Sequence, residues 1–217
     1  MKLHLGCGQR YLPGYVNIDF ADSAHTVQEK SIADLLADIL ELQYASDSIE
    51  EIRLHHVFEH FPRPVACALL SGWYSWLKQG GVLHIEVPDF QKTAQVMLRP
   101  LRSFKKQAVA ERHLFGSHEA HWAVHCEGYT PAILQKMIES FGFTVRQIKK
   151  NSWMGTYNFE LFAEKSAKMT SKNEFAKITE AFLKNYLLDE GESESRLLGV
   201  WMDIYNKQID KCWAKNG

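Results

Sequence analysis

Histidine is concentrated in two short windows of this sequence, which together contain seven of its ten histidines. The first window holds His55, His56 and His60, with Glu59 among them, and the second holds His113, His118, His121 and His125. Because the pKa of imidazole lies near neutrality, such side chains are suited to accepting a proton. As a group they indicate an acid–base or ligand site, although any single one is more simply explained by local hydrogen bonds.

The spacing within each window predicts a shared face. If the second window is helical, His118, His121 and His125 lie on one side of that helix. In a helical first window, His56 and Glu59 would likewise point the same way. The second window is not the zinc-protease motif H-E-x-x-H, because its two nearest histidines are only three positions apart.

A glycine turn near the N-terminus predicts a second kind of site. Residues 2–5 read as a strand, Gly6-Cys7-Gly8 as a tight turn, and residues 15–18 as the next strand, which ends at Asp19. Glycine lets a ligand approach the backbone closely. A dinucleotide is disfavoured, because Tyr11 stands where the fingerprint needs its third glycine and the nine-residue connection leaves no room for a helix.

Two aspartates follow successive predicted strands, Asp19 after the second and Asp38 after the third. A carboxylate only accepts hydrogen bonds, so it suits a ribose diol or an exocyclic amine. In open parallel sheets ligands bind at the carboxyl ends of strands, which favours this function. The alternative is that each aspartate merely caps the loop after its strand.

Short apolar runs alternate with helical patterns, which is typical of a parallel sheet covered by helices. The predicted strands lie near 2–5, 15–18, 32–37, 51–55, 81–87, 143–149 and 157–164. The last two alternate apolar and polar residues and predict an antiparallel pair at a sheet edge. Helices are predicted over 64–78, closed by Gly80-Gly81, and over 131–140. The fold class is therefore α/β: a Rossmann-like, seven-stranded, mostly parallel sheet with an antiparallel edge strand.

The last fifty residues predict a helical hairpin. Phe175 and Phe182 mark one apolar stripe, Leu197 and Trp201 mark another, and residues 190–195 separate them. We therefore divide the chain into a sheet domain, 1–165, and a helical appendage, 166–217. Its stripes must be buried either on an uncovered flank of the sheet or across a homodimer interface.

Composition excludes several functions. The 217 residues carry 25 Lys and Arg against 26 Asp and Glu, so the net charge of −1 gives no footprint for nucleic acid. No apolar run is long enough to span a bilayer. The scattered cysteines and the absence of a signal sequence predict a soluble, cytoplasmic protein.

Several motifs occur in a fixed order: L-H-L-G-C-G, V-N-I-D, L-A-D-I, H-V-F-E-H-F and L-K-Q-G-G-V-L-H-I-E-V-P. Over residues 2 to about 90 this series resembles the class I S-adenosylmethionine-dependent methyltransferases. The resemblance implies that Gly6, Cys7 and Gly8 pass beneath the methionine part of S-adenosylmethionine and that His55 lies near its sulfonium. It departs from the family at His4, where many members have an acid that helps to hold the cofactor's ammonium group.

The same resemblance assigns the adenosine half of the cofactor. It implies that Asp19 accepts hydrogen bonds from both ribose hydroxyls. Asp38 would accept the adenine amino group, and Ile39 would pack beside the ring. S-adenosylhomocysteine would be the product.

On the acceptor side, a hydroxyl needs a base as it attacks, and the histidine windows favour an O-methyltransferase. His56, Glu59 and His125 are the predicted catalytic residues. Similarity to short proteins of bacterial polysaccharide pathways favours a small-molecule or glycan acceptor. The alternatives are a cofactor-binding interaction protein with little activity, and an RNA or protein methyltransferase, which the near-neutral charge disfavours.

The stretch H-V-F-E-H is also similar to the E-x-x-E-H stretch of small-RNA 2′-O-methyltransferases and ubiquinone-pathway O-methyltransferases, in which a divalent metal is held at the acceptor oxygen. Here histidine replaces the first glutamate. A metal bound by this stretch together with His121 or His125 is an alternative, and a role without metal is the prediction.

Overall fold

A single seven-stranded sheet organises the protein. The computed structural model describes residues 1–21, 30–99, 102–169 and 171–214. The strands are β1 (Lys2–Leu5), β2 (Val16–Asp19), β3 (Leu35–Leu36), β4 (Ile49–His55), β5 (Leu77–Pro88), β6 (Phe143–Trp153) and β7 (Thr156–Lys165). Their order is β3-β2-β1-β4-β5-β7-β6, and only β7 runs antiparallel to its neighbours. The predicted fold class is confirmed.

Six helices accompany the sheet in the described part of the chain. They are α1 (Arg63–Trp76), α2 (Phe90–Met97), α3 (Phe104–Phe115), α4 (Pro131–Ser140), α5 (Lys172–Lys184) and α6 (Glu192–Cys212). Short 3-10 helices lie at Ile39–Glu41 and Phe58–His60. The start of α4 follows its sequence signal, because Thr130 accepts the backbone N–H of Ile133 and proline occupies the first turn.

The connection from β1 to β2 is a loop without a helix, as its length predicts. Buried Asn17 on β2 holds this loop: its side chain accepts the N–H of Leu12 at 2.9 Å and donates to the carbonyl of the same residue at 3.1 Å. Asp34 accepts both the backbone and side-chain N–H of Asn17. These local hydrogen bonds replace the helix that a parallel crossover usually carries.

The core lies between the sheet and α1. Side chains at alternate strand positions, such as Leu3, Leu54 and Ile85, are fully buried, which is expected for one covered face of a sheet. Trp73 and Trp76 of α1 are also fully buried and belong to this core.

Two predicted boundaries are wrong. The helix predicted to end at Gly80-Gly81 ends instead at Trp76, and both glycines lie within β5. There β5 bulges against β4 between the partners of Ile49 and Glu51, and the positive φ of Gly80, 74°, accommodates the extra residues. The third strand, predicted over 32–37, contains only two exposed edge residues.

The C-terminal hairpin packs on α1, which itself covers the sheet. Trp76 donates its indole N–H to the carbonyl of Cys212 at 2.7 Å, and the hydroxyls of Ser71 and Tyr205 lie 3.3 Å apart. The backbones approach most closely at Gly72, where an added Cβ would lie 2.8 Å from the Cys212 carbonyl oxygen. The stripe of α5 is thus buried within the chain and not on the sheet flank, whereas the second predicted stripe is only partly covered, because Leu197 is 37% exposed and Trp201 is half-buried. The homodimer and the domain division stay predictions.

This close approach makes Gly72 a test of hairpin docking. We expect Gly72→Ala to destabilise the protein by about 1–3 kcal/mol, because the new methyl group forces α1 and α6 apart. Gly199→Ala is the matched control, since a Cβ there meets nothing within 4 Å and should stabilise the helix by about 0.5–1 kcal/mol. Urea unfolding measures both. Equal effects of the two changes would contradict the docking.

Candidate functional site

A cavity of about 670 Å³ opens at the carboxyl ends of the parallel strands. Its wall combines the glycine turn after β1, Asp19 at the end of β2, and residues 37–40. The opposite wall combines residues that follow β4 with the tip of the 116–130 loop, including Trp122. The structure therefore brings the glycine turn, both aspartates and part of each histidine window around one space.

The glycine turn forms the floor of this cavity. Gly6 and Gly8 have positive φ values of 65° and 52°, a conformation that other residues rarely adopt. An added Cβ on Gly6 would lie 2.3 Å from a methyl carbon of Val57, whereas one on Gly8 would meet nothing within 4 Å. Gly8 therefore faces open cavity. Cys7 does not line it, and burial, followed by the charge of Asp19, raises the pKa of its thiol to about 11.

Asp19 both caps its loop and lines the cavity. One carboxylate oxygen accepts the N–H of Gly8 at 2.6 Å, and the other accepts the N–H of Phe20 at 2.8 Å. These bonds fix the carboxylate against the glycine turn. The two interpretations of this aspartate from the sequence are thus compatible, because a carboxylate oxygen can accept more than one hydrogen bond.

Asp38 repeats the arrangement on the next strand. Its side chain caps the 3-10 helix by accepting the N–H of Leu40 at 2.9 Å, and it lines the cavity. Ile39 beside it is buried and presents an apolar surface to the same space. A carboxylate next to an apolar side chain is a suitable environment for a flat, amine-bearing ring.

His4 cannot provide a charge near the glycine turn. It is fully buried, its Nδ1 lies 3.0 Å from the side-chain oxygen of Asn17, and burial lowers its pKa. The imidazole is therefore neutral at physiological pH. It cannot replace the charge of the acid that many members of the resembled family have at this position.

After β4 the chain turns so that His56, and not His55, lines the cavity. His55 Nε2 lies 3.0 Å from a Glu86 oxygen instead. His56 has a positive φ of 55°, which is uncommon for a residue with a side chain and often marks a functional site. The resemblance implies that His55 lies near the sulfonium, but His55 is not part of the cavity lining.

Glu59 is the most buried charge of the site, with 1% of its surface exposed. His56 Nδ1 lies 3.3 Å and His125 Nε2 lies 3.8 Å from the same carboxylate oxygen. Burial alone would raise the pKa of Glu59, but His56, followed by His60 and His125, holds it below its usual value. Burial would lower the pKa of His56, but the Glu59 and Glu86 carboxylates raise it. All three predicted catalytic residues therefore meet.

In the second histidine window His113 belongs to α3, but the stretch with His118, His121 and His125 is not helical, and the predicted shared face is wrong. Residues 116–130 form an irregular loop closed by a bridge between Gly116 and Val124. His118 is exposed and its ring contacts the carbonyl of Phe115, whereas His121 lines the cavity. Of these three histidines only His125 approaches Glu59. The backbone carbonyl of Glu59 accepts the N–H groups of the two residues that follow His125, which holds His125 near the carboxylate.

Sequence reasoning missed Glu86. It lies at the end of β5, 5% exposed, and accepts the side-chain N–H of Asn151 at 3.0 Å in addition to its pairing with His55. Burial would raise its pKa, but these two neighbours and His56 lower it to about 2. The sequence signal that could have identified Glu86 is an acidic residue at the end of an apolar strand, in L-H-I-E-V-P.

Comparison with known proteins supports the fold. No family model matches the sequence, and no curated protein has a detectably similar one. Among solved structures, an S-adenosylmethionine-dependent methyltransferase from Methanosarcina mazei superposes with a TM-score of 0.53 and 14% identity, covering 77% of this chain and 92% of its own. A Burkholderia thailandensis 1,6-didemethyltoxoflavin-N1-methyltransferase with bound S-adenosylhomocysteine has a TM-score of 0.50 and 12% identity, covering 76% and 71%.

The chain thus has the fold of the class I S-adenosylmethionine-dependent methyltransferases. Among the described residues, no helix combines the length and apolar character needed to cross a membrane.

The depressed pKa of Glu86 gives a pH-dependent contribution to stability. A fall from 4.5 to about 2 corresponds to roughly 3 kcal/mol at neutral pH. Because the folded pKa is the lower one, this contribution is fully present above pH 4.5 and is lost as the pH falls toward 2. We therefore expect Glu86→Gln to destabilise the protein at pH 7 and by less at pH 3.5, in urea unfolding.

Glu164→Gln is the control for that experiment, because Glu164 on β7 forms an exposed ion pair with Arg146 on β6. Its effect should stay within about 1 kcal/mol at both pH values. If the difference in the free energy of unfolding between wild type and Glu86→Gln is as large at pH 3.5 as at pH 7, the lowered pKa of Glu86 is contradicted.

Proposed function

We propose that this protein is a cytoplasmic S-adenosylmethionine-dependent methyltransferase that acts on a hydroxyl of a small-molecule or glycan acceptor. The observation that carries the proposal is one cavity bordered on one side by an open glycine turn and two strand-end carboxylates, and on the other by His56, which pairs with the buried Glu59 behind it. The methyltransferase fold makes this arrangement specific, because it places these groups at the carboxyl ends of the sheet.

The residues present fit the cofactor. Gly8 leaves the cavity floor open where a side chain would fill it, which suits the methionine part. Asp19 would accept the ribose hydroxyls, and Asp38 with Ile39 would hold adenine, because these groups offer acceptors and an apolar surface where the cavity needs them. Neutral His4 offers no charge to the ammonium group, which must be held by backbone carbonyls or another carboxylate.

Bound S-adenosylmethionine supplies a methyl group on a positively charged sulfur, open to in-line attack by an oxygen. The task of the protein is to align the acceptor hydroxyl and accept its proton. His56 lines the cavity and is oriented by Glu59, so it is suited to accept that proton. The buried carboxylate then compensates the positive charge on the imidazole, and His125 holds the carboxylate from its other side.

The acceptor side of the cavity favours a small molecule. Phe20 and Trp122 lie against each other there, with ring centroids 6.1 Å apart, and Phe61 also lines the wall. Aromatic walls with few polar groups are typical of small-ligand sites. The Burkholderia neighbour was crystallised with a small-molecule acceptor, which supports the same class here.

Cofactor binding is the first test. We expect wild-type protein to bind S-adenosylhomocysteine in isothermal titration calorimetry, and Asp19→Asn to weaken binding about 10- to 100-fold, because it replaces an acceptor with a donor at the ribose diol. Asp203→Asn, a change of an exposed α6 residue outside the cavity lining, is the matched control. A wild-type protein that shows no binding would refute the proposal.

A metal-dependent version of the reaction is the second candidate, and a specific cluster favours it. The ligand atoms of Glu59, His60 and His125 all lie within 4.8 Å of one another. Neither Glu59 oxygen has a hydrogen bond of good geometry among the described residues. Two imidazoles and a carboxylate suit zinc, iron or manganese better than magnesium. In this version the three residues would hold the ion, and it would supply a positive charge next to the acceptor oxygen.

Turnover with a pool of hydroxylated acceptors separates the two versions. We expect His56→Ala to lower turnover about 10²- to 10⁴-fold with little change in S-adenosylhomocysteine affinity, because a general base contributes that much. His118→Ala, which removes an exposed histidine of the 116–130 loop, should retain wild-type turnover. Activity that survives exhaustive chelation supports the metal-free version, and activity restored only by added manganese, iron or zinc supports the other. Full turnover in His56→Ala would contradict the role of His56.

A further inference from the structure

The wall of the cavity formed by residues 37–41 has little regular structure of its own. The strand before it, β3, contains two exposed residues at the edge of the sheet. The 3-10 helix that follows is a single turn, Ile39–Glu41. Burial of Ile39 and Leu42 anchors this segment to the core, but buried side chains alone do not fix the orientation of the peptide groups between them.

One residue in this wall, Leu40, is held through both of its backbone groups, which belong to two adjacent peptide units. Leu40 donates its N–H to Asp38 at 2.9 Å, and its carbonyl accepts the side-chain N–H of Gln208 at 2.8 Å. Gln208 is on α6, 168 positions further along the chain, and is 7% exposed. The carboxylate of Asp38 and the amide of Gln208 are thus linked through a single residue that itself lines the cavity.

The helix that carries Gln208 is anchored to other parts of the chain. Its helix is tied to α1 through the indole of Trp76, and Gln43 donates to the carbonyl of Trp213 at 2.5 Å. Lys211, one turn after Gln208, forms an exposed ion pair with Glu41. Exposed ion pairs contribute little, so the partly buried hydrogen bond of Gln208 is the contact that orients the wall.

We propose that Gln208 is a positioning residue for adenine recognition, so that the C-terminal hairpin is part of the cofactor site. This rests on the proposed function, in which Asp38 accepts the adenine amino group. Without the donor on Gln208, the carbonyl of Leu40 is left buried without its partner, and the turn must reorient to reach water. Because the N–H of the same residue is bonded to Asp38, that reorientation displaces the carboxylate from the adenine edge.

The experiment compares two ligands on the full-length protein. S-adenosylhomocysteine carries an amino group on its base, whereas S-inosylhomocysteine carries an oxygen there and should bind wild type more weakly, because a carboxylate accepts from the first and repels the second. We expect Gln208→Leu to weaken S-adenosylhomocysteine binding roughly fivefold, the effect of one lost hydrogen bond. Binding of the inosine compound should change much less, so the preference between the two ligands falls.

Two further variants make the result decisive. Gln208→Met keeps the volume and flexibility of the side chain and should reproduce the lost preference if Gln208→Leu does not fold. Asp210→Asn, which removes an exposed α6 ion pair with Lys172 on the same hairpin, should leave both affinities unchanged. Circular dichroism confirms that each variant is folded.

The outcomes separate the two proposals. If wild type binds neither ligand, the proposed function fails and this inference falls with it. If wild type prefers S-adenosylhomocysteine and the folded Gln208 variants retain the same preference, only the positioning role is overturned. Equal loss of affinity for both ligands would also overturn it, because that result reports general weakening of the structure and no effect on adenine recognition.

Discussion

The cavity wall that follows β4 depends on the burial of one negative charge, that of Glu59. An isolated carboxylate inside a protein costs several kcal/mol, so it must be compensated by its neighbours or protonated. Here the imidazoles of His56 and His125 approach the same carboxylate oxygen, and together with His60 they hold the pKa of Glu59 low. The two histidine windows are therefore brought together by a single electrostatic requirement.

The backbone of Glu59 extends this arrangement to the C-terminal hairpin. Its carbonyl accepts N–H groups from Cys126 and Glu127, which fixes the end of the 116–130 loop. The side chain of Glu127 forms an ion pair with Arg63 at 2.9 Å, and the guanidinium of Arg63 lies 3.6 Å from the ring centre of Tyr186 on the hairpin. The hairpin thus supports both walls of the cavity: the wall after β4 through Arg63, and the wall at residues 37–40 through Gln208.

The sequence predicted those features that depend on local chemistry. The glycine turn, the carboxylates at strand ends and the alternating strands follow from residue type and spacing, and the structure confirms the fold they imply. Features that depend on distant contacts could not be predicted. The conformation around His125 follows from hydrogen bonds to Glu59, sixty-odd residues earlier in the chain. His56 lines the cavity in place of His55 because His56 has a positive φ angle, which histidine rarely adopts.

A physical reason connects the short crossovers of this sheet with its C-terminal helices. Two connections between parallel strands, β1 to β2 and β3 to β4, contain no α-helix in the described residues, although such crossovers usually carry one. The 3-10 turn in the second connection is covered by α6 instead. The contact between Leu40 and Gln208 closes a long loop, which costs conformational entropy. Burial of the face that α6 shares with α1 offsets this cost. The wall of the cavity at Leu40 is therefore completed only by a contact with the last helix of the described chain.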